Sequence, residues 1–390
     1  MILINYVSLL FPILYNELMK RNNLLIFCLI SVLSFAGCSN GDSQSSESKS
    51  ESISTSESSA VSDSSDIEDS SFIQKYKARR KTSILADTNF KNGLRLISPE
   101  STNQYTEKDL NYNGEAETDF YSNETDRTNY WDMCQWWTPY NFKDAKYKKD
   151  GSSHTYENES RYLAVNPSAG LLTMKLNSYL EYQERFGRKR NGNESWSHFL
   201  IQQVSPEEMF VYGSHINDNN HLRMALDFQI DEATYLGDKN TQTTSDCAQL
   251  LYYILLRNLP PEGSDPNEVG VKNTSMWFGI PLYDSRYTNI PEYKGGDAGF
   301  EGATGHMIYT IGSKSYLPGG VEFGQKYHID IDVTEYVQQA FVWGVANNYL
   351  PNCNWNNMAV VYSNLGWELP GEYKVSSTIS NMDVYTEAIV

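Results

Sequence analysis

The sequence predicts an all-β protein: a two-sheet antiparallel β-sandwich of jelly-roll type with one amphipathic helix, preceded by a signal peptide and a disordered linker. Three observations carry this expectation. His221 to Ile230 alternates without a break, with Leu222, Met224, Leu226, Phe228 and Ile230 on one face and His221, Arg223, Asp227 and Gln229 on the other. Ala248 to Leu256 is apolar on both faces, as a central strand covered on two sides would be. Further strand-like runs are separated by turns rich in Gly, Pro and Asp, the spacing of a sandwich or barrel.

In chain order, the first element is an export signal. Lys20 and Arg21 precede the apolar run Leu24 to Ala36, which stops at Phe35-Ala36-Gly37-Cys38. Two cations, a short apolar stretch, small residues and a cysteine make a secretory signal ending in a lipobox. The run is shorter than the ~20 apolar residues that span a bilayer. Cys38 is therefore expected to be lipidated and to become the new N-terminus, with residues 1–37 removed; an uncut signal anchor is the competing reading. Met1 to Tyr15 has no basic stretch of its own, which points to Met19 as the start.

Residues 38–83 form the expected tether. Ser39 to Ser71 is about half serine and carries eight acidic residues against the single Lys49. A segment this polar and like-charged cannot bury enough apolar surface to offset its ordering entropy. As a flexible coil it would span roughly 30 Å, holding a domain clear of the lipid surface. Phe72 to Lys81 adds five cations as a solvated lead-in.

Residues 84–390 read as one β-sandwich domain. Strands are expected over Trp196–Val204, His221–Ile230, Ala248–Leu256, Ser275–Tyr283, His306–Ile311, Tyr327–Val333, Met358–Leu365 and Tyr373–Val384. The single helix is expected to start at Thr334 as its cap, to place Tyr336, Val337, Ala340, Phe341 and Val345 on one side, and to end at Asn347-Asn348. The formal charge of −18 excludes nucleic acid as a partner, because phosphate binding needs a basic face. Aromatic residues make up 13% of the chain, with 28 Tyr and 8 Trp, which suits a surface that stacks on sugar faces. Cys134, Cys247 and Cys353 lack metal-ligand spacing and read as buried free thiols.

Candidate chemistry is concentrated in a few places. Trp277 to Tyr287 is the densest aromatic and polar block. Trp277 and Tyr283 would stack on pyranose faces, while Asp284 and Arg286 would bind hydroxyls or pair with each other. Tyr130 to Trp137 offers a second platform, which strand alternation would divide between core and surface. Arg223 and Asp227 would line a groove or face solvent. Asp109, Asn111 and Asn113 resemble the start of a calcium loop, but Phe120 stands where a bidentate carboxylate belongs, so a structural calcium competes with a plain polar turn. No other cofactor is expected: the chain has no phosphate-binding glycine loop, no Gly-x-Ser-x-Gly elbow and no HExxH.

The C-terminal order is the sharpest signal. Ile329-Asp330-Ile331-Asp332-Val333, a helix, Tyr349-Leu350, a strand, and then Leu365-Gly366-Trp367-Glu368-Leu369-Pro370-Gly371 resembles the last third of glycoside hydrolase family 12, a jelly-roll endoglucanase family. The resemblance covers roughly 60 residues and implies Glu368 as general acid/base; Trp367 beside it is expected to bind ligand. Family 12 enzymes retain configuration, which needs a second carboxyl about 5–5.5 Å away as nucleophile. That nucleophile lies in a Glu-Leu-Met-Ile-Trp strand. The nearest analogue here is Ser275-Met276-Trp277-Phe278-Gly279-Ile280, with serine at the key position, which leaves Asp227, Asp284 or another carboxylate to supply the missing group. The expected function is therefore a surface-anchored lipoprotein that binds polysaccharide or oligosaccharide and touches the membrane only through its lipid. The alternatives are a glycoside hydrolase or polysaccharide lyase using Glu368, and a non-carbohydrate adhesion or envelope-structural lipoprotein.

Overall fold

The computed structural model describes residues 79–100, 110, 112, 131–259, 274–298 and 303–389. Cys38 and the Asp109, Asn111 and Asn113 segment lie outside the described residues. Among the described residues, sixteen strands form two eight-stranded sheets. Sheet I has the order β14 (Lys326–Asp332), β9 (Asn220–Tyr235), β16 (Tyr373–Ile389), β7 (Leu171–Asn177), β6 (Arg161–Asn166), β5 (Ser153–Glu157) and β4 (Lys146–Asp150), with β1 (Arg79–Ser83) also paired to β16. Sheet II has the order β12 (Tyr293–Gly296), β13 (Met307–Thr310), β11 (Ser275–Asp284), β10 (Gln249–Asn258), β15 (Met358–Leu369), β8 (Ser197–Val204), β3 (Trp131–Cys134) and β2 (Leu94–Leu96). Pairing is antiparallel except at β11–β13 and β2–β3, which are parallel. The architecture is a jelly-roll β-sandwich.

Strand alternation decides the core. Leu222, Met224, Leu226, Phe228 and Ile230 of β9 are all buried, and they join Phe199, Ile201, Leu250, Tyr252, Ile254 and Trp367 of sheet II in one continuous hydrophobic cluster. β10 sits between β11 and β15, and both of its faces are shielded. The last two strands occupy central places: β15 lies between β10 and β8, and β16 between β7 and β9.

Two α-helices occur among the described residues rather than one. The expected helix is α2 (Thr334–Ala346). Val333, not Thr334, holds its cap position; the Thr334 hydroxyl instead accepts the Leu222 backbone N–H at 2.8 Å. Val337 and Ala340 enter the core and the helix packs against both β9 and β11, whereas Val345 is exposed. The unexpected helix is α1 (Ser178–Phe186). Asn177 caps it by accepting the Leu180 N–H, and Gly187 ends it in the left-handed conformation at φ 65°. Its buried residues are Ser178, Glu181 and Tyr182, so it shows no apolar stripe; polar bonds hold it in place.

Candidate functional site on the outward face of sheet II

Side chains that alternate with the core form the outward face of sheet II. Trp367 and Glu368 are neighbours in β15 and therefore point to opposite sides. Trp367 is 0% exposed, donates its indole N–H to Ser377 Oγ at 2.9 Å and packs edge-on against Tyr283. This corrects its expected ligand-binding role: it belongs to the core. Glu368 faces outward, with its side chain 20% exposed.

Register places His198 of β8 on one side of Glu368 and Gln249 of β10 on the other, with Asp284 of β11 next beyond Gln249. Trp196 Nε1 donates to Glu368 Oε2 at 3.1 Å, and His198 Nε2 lies 3.6 Å from the same oxygen. His198 Nδ1 is 2.8 Å from the Trp196 carbonyl. A carbonyl only accepts, so Nδ1 carries the proton and Nε2 turns a lone pair toward the carboxyl. Burial holds the imidazole neutral, with its pKa lowered to about 4 and the Arg161 charge adding to the effect. Burial likewise raises the Glu368 pKa to about 7; the Asp297 carboxylate pushes it further up, against the Trp196 hydrogen bond, which favours the anion. A carboxyl that keeps its proton near neutrality can donate to a ligand oxygen or to a leaving group.

Helix α1 fixes the two strands that meet here. The Tyr182 hydroxyl accepts the Ser197 N–H at 3.2 Å and donates to the Leu369 carbonyl, linking the start of β8 to the end of β15. Arg161 and Glu181 form a fully buried ion pair (Nε to Oε1, 2.7 Å), and Arg161 Nη1 donates to the His198 carbonyl at 2.9 Å.

The same face carries aromatic rings. Trp277 is half-buried and meets Tyr253 and Tyr362 edge-on, with centroids 6.1 and 5.5 Å away, while its neighbour Phe278 is in the core. Gly279 lets Tyr253 lie against β11, since a Cβ there would come within 2.3 Å of the tyrosine ring. Glu368 and Asp297 are the strongest charges acting on Tyr253, so the ring sits near both carboxylates. Tyr362 donates to Gln202, whose amide reaches Asp132 at 3.4 Å, and Asp132 pairs with Arg95.

The remaining expected site residues are divided. Asp284 is 2% exposed and is held by Arg286 (2.5 and 2.8 Å) and Gln249 (2.9 Å), which is the local ion pair rather than a free carboxylate. Asp284 and Arg286, with Tyr283, Tyr287 and Phe323, line a cleft of about 290 Å³. Asp227 and Arg223 lie on the outward face of sheet I, across the whole sandwich from Glu368. Burial works to raise the Asp227 pKa, but hydrogen bonds from Lys326, His328 and Asn381 outweigh it and hold the group below its ordinary value. Arg223 is bound to Asp330 and Tyr385 beside a larger hollow of about 620 Å³. That hollow is remote from Glu368. These placements correct the expected partnership of Asp227 with Glu368 and of Arg223 with the sugar site.

The expected nucleophile strand is also corrected. Ser275 pairs with Arg257 and Glu368 with Gln249, eight residues apart along β10, which is roughly 26 Å of strand. The strands beside Glu368 are β8, with His198 in register, and β10, with Gln249 in register. His198 and Asp297 gave no local sequence signal, because only the pairing of distant strands brings them to Glu368. Trp131 is a core residue, whereas Trp136 packs with Ile97, Cys134 and Leu200 on the outward side. Cys134 and Cys247 are buried free thiols, and Cys353 is half-buried.

No protein-family model matches this chain, and no curated sequence matches it. Solved structures resemble it in fold. A family 12 xyloglucanase from Bacillus licheniformis matches at 13% identity and a TM-score of 0.36, over 65% of this chain and 98% of that one. The endoglucanase Cel12A from Rhodothermus marinus matches at 10% identity and TM-score 0.31, over 62% and 96%. A family 11 xylanase from Neocallimastix patriciarum gives 10% and 0.31, over 63% and 96%. At this level of likeness no role passes from those proteins to a residue of this one.

Proposed function

We propose that this protein binds extracellular polysaccharide on the outward face of sheet II, as the cargo of a lipid-anchored, surface-exposed domain. The observation that carries the reading is one face that holds Trp196 and Tyr253 beside Glu368, a carboxyl that is protonated near neutrality, with Trp277 and Tyr362 about 20 Å further along the strands. Aromatic faces stack on sugar C–H groups, and buried polar groups among them fix orientation through hydroxyls. The lipobox at Cys38 and the acidic serine tether support the surface location.

Affinity electrophoresis of the mature protein through gels containing single polysaccharides tests the proposal. Retardation by at least one glycan, lost in Trp277→Ala, is the expected result. Equal mobility in every gel rules the reading out.

Hydrolysis is a second reading, favoured by the raised pKa of Glu368. Double displacement has little support, because both in-register neighbours of Glu368, His198 and Gln249, lack a carboxylate. Asp297 is the remaining candidate for a base, in an inverting scheme. Under this reading Glu368→Gln abolishes release of reducing sugar and leaves glycan retardation intact; release that survives the substitution removes Glu368 as the acid.

A further inference from the structure

The outward face continues along β10 past Trp277 to a set of polar atoms that the sugar-stacking reading does not use. Arg257 of β10 pairs in register with Ser275 of β11. His306 lies one residue before β13, whose Met307 is paired with Met276 next to Ser275. Arg257 Nε, Ser275 Oγ and His306 Nδ1 are all buried and have no hydrogen-bond partner. Ser275 is 1% exposed, yet by alternation with the core residues Met276 and Phe278 it points to the outward side. Arg257 makes no ion pair among the described residues, while its charge acts on His306. Among the described residues Asp297 is the one carboxylate that acts on this imidazole; its backbone N–H donates to the His306 carbonyl at 2.8 Å, and its own carboxylate accepts from Thr304.

An orphaned buried polar group costs on the order of 1–3 kcal/mol, and three in one place call for an explanation. They lie in one row across β10, β11 and the start of β13, a position two residues, about 6.6 Å of strand, from Trp277. A sugar ring stacked on Trp277 would reach that position with a charged substituent.

Resting on the carbohydrate-binding reading above, we infer that the glycan is acidic, with a carboxylate or sulfate ester of one pyranose received by Arg257, Ser275 and His306 while its ring stacks on Trp277. An anion fits better than a neutral hydroxyl because the site offers a guanidinium without a counter-charge. The acidic tether, which lowers the net charge of the whole chain, lies outside this face in sequence.

The test compares the mature protein in gels containing polygalacturonate, dextran sulfate or neutral xyloglucan. Retardation by at least one of the two anionic polymers, stronger than by xyloglucan, is expected, and the two arms tell carboxylate from sulfate. Arg257→Gln should weaken that retardation at least tenfold without changing mobility in xyloglucan. Added salt should weaken anionic retardation by screening. Ser275→Ala, which removes no charge and adds no bulk, should weaken it several-fold and covers the case in which Arg257→Gln fails to fold. Binding of xyloglucan alone, or anionic binding indifferent to both substitutions and to salt, overturns this inference and leaves the broader reading standing. Loss of every interaction in wild-type protein overturns both.

Discussion

Glu368 makes a stability prediction that can be worked through from its surroundings. In the folded protein its carboxyl titrates at about 7, against an ordinary value of 4.5, chiefly because burial penalises the anion. Between those two pH values the folded state holds a proton that the unfolded chain releases. Stability therefore falls as pH rises through this window, being fully retained below 4.5 and at its lowest above 7. At about 1.4 kcal/mol per pH unit, the charged carboxylate costs roughly 3 kcal/mol at alkaline pH. Glu368→Gln removes the titration while its amide oxygen still accepts from Trp196. The variant should match wild type at pH 4 and exceed it by up to roughly 3 kcal/mol at pH 8.5. At ~2–4 °C per kcal/mol for a domain of this size, that is about 6–12 °C in thermal unfolding. Scans of both proteins across pH 4 to 9 are the assay. A difference that does not vary with pH, or a variant less stable than wild type at pH 8.5, refutes the account of Glu368 as a buried carboxyl that resists ionisation.

Other expectations follow from the same structure. Glu181→Ala leaves the Arg161 guanidinium buried without its partner and should cost about 3–5 kcal/mol by denaturant unfolding, whereas Arg161→Met combined with Glu181→Leu should recover most of it; a loss under ~1 kcal/mol in the single variant contradicts the buried pair. Trp367→Ala should cost about 3–5 kcal/mol and leave glycan retardation of the folded fraction unchanged; lost binding at unchanged stability would return Trp367 to the ligand face. Mass spectrometry of membrane-extracted protein should find a chain beginning at a diacylated Cys38, and Cys38→Ser should release it from the membrane; an intact Met1 or an unmodified Cys38 defeats the anchor.

What could be read from the residues alone followed the strength of local pattern. The five alternating apolar residues of β9 bury a face that no other backbone period would bury, and the short two-sided apolar run of β10 suits a strand covered on both faces; both strands stand where they were expected. The helix after Asp332 was equally visible through Val337 and Ala340. Helix α1 was not, because its inward side consists of Ser178, Glu181 and Tyr182, and no hydrophobicity scale marks a face held by a buried ion pair and a hydroxyl. The site itself was legible only in part. Glu368 stood out by its place in a chain order, but Trp367 shared that signal and alternation sends it to the core. Asp227 sits in the clearest strand of the chain, and nothing local says that its sheet is the wrong one. His198 and Asp297 reach Glu368 through β8–β15 pairing and a loop beyond β12, which are long-range facts absent from any short window of sequence.

The central positions of β15 and β16 bear on how the chain is made. β15 and β16 come after every other described strand, yet they supply an interior strand to each sheet, so each sheet is left in two pieces until both have been synthesised. Long-range pairings of this kind form late and slowly. A nascent chain that has not yet reached β15 therefore carries two incomplete sheets and little cooperative native structure.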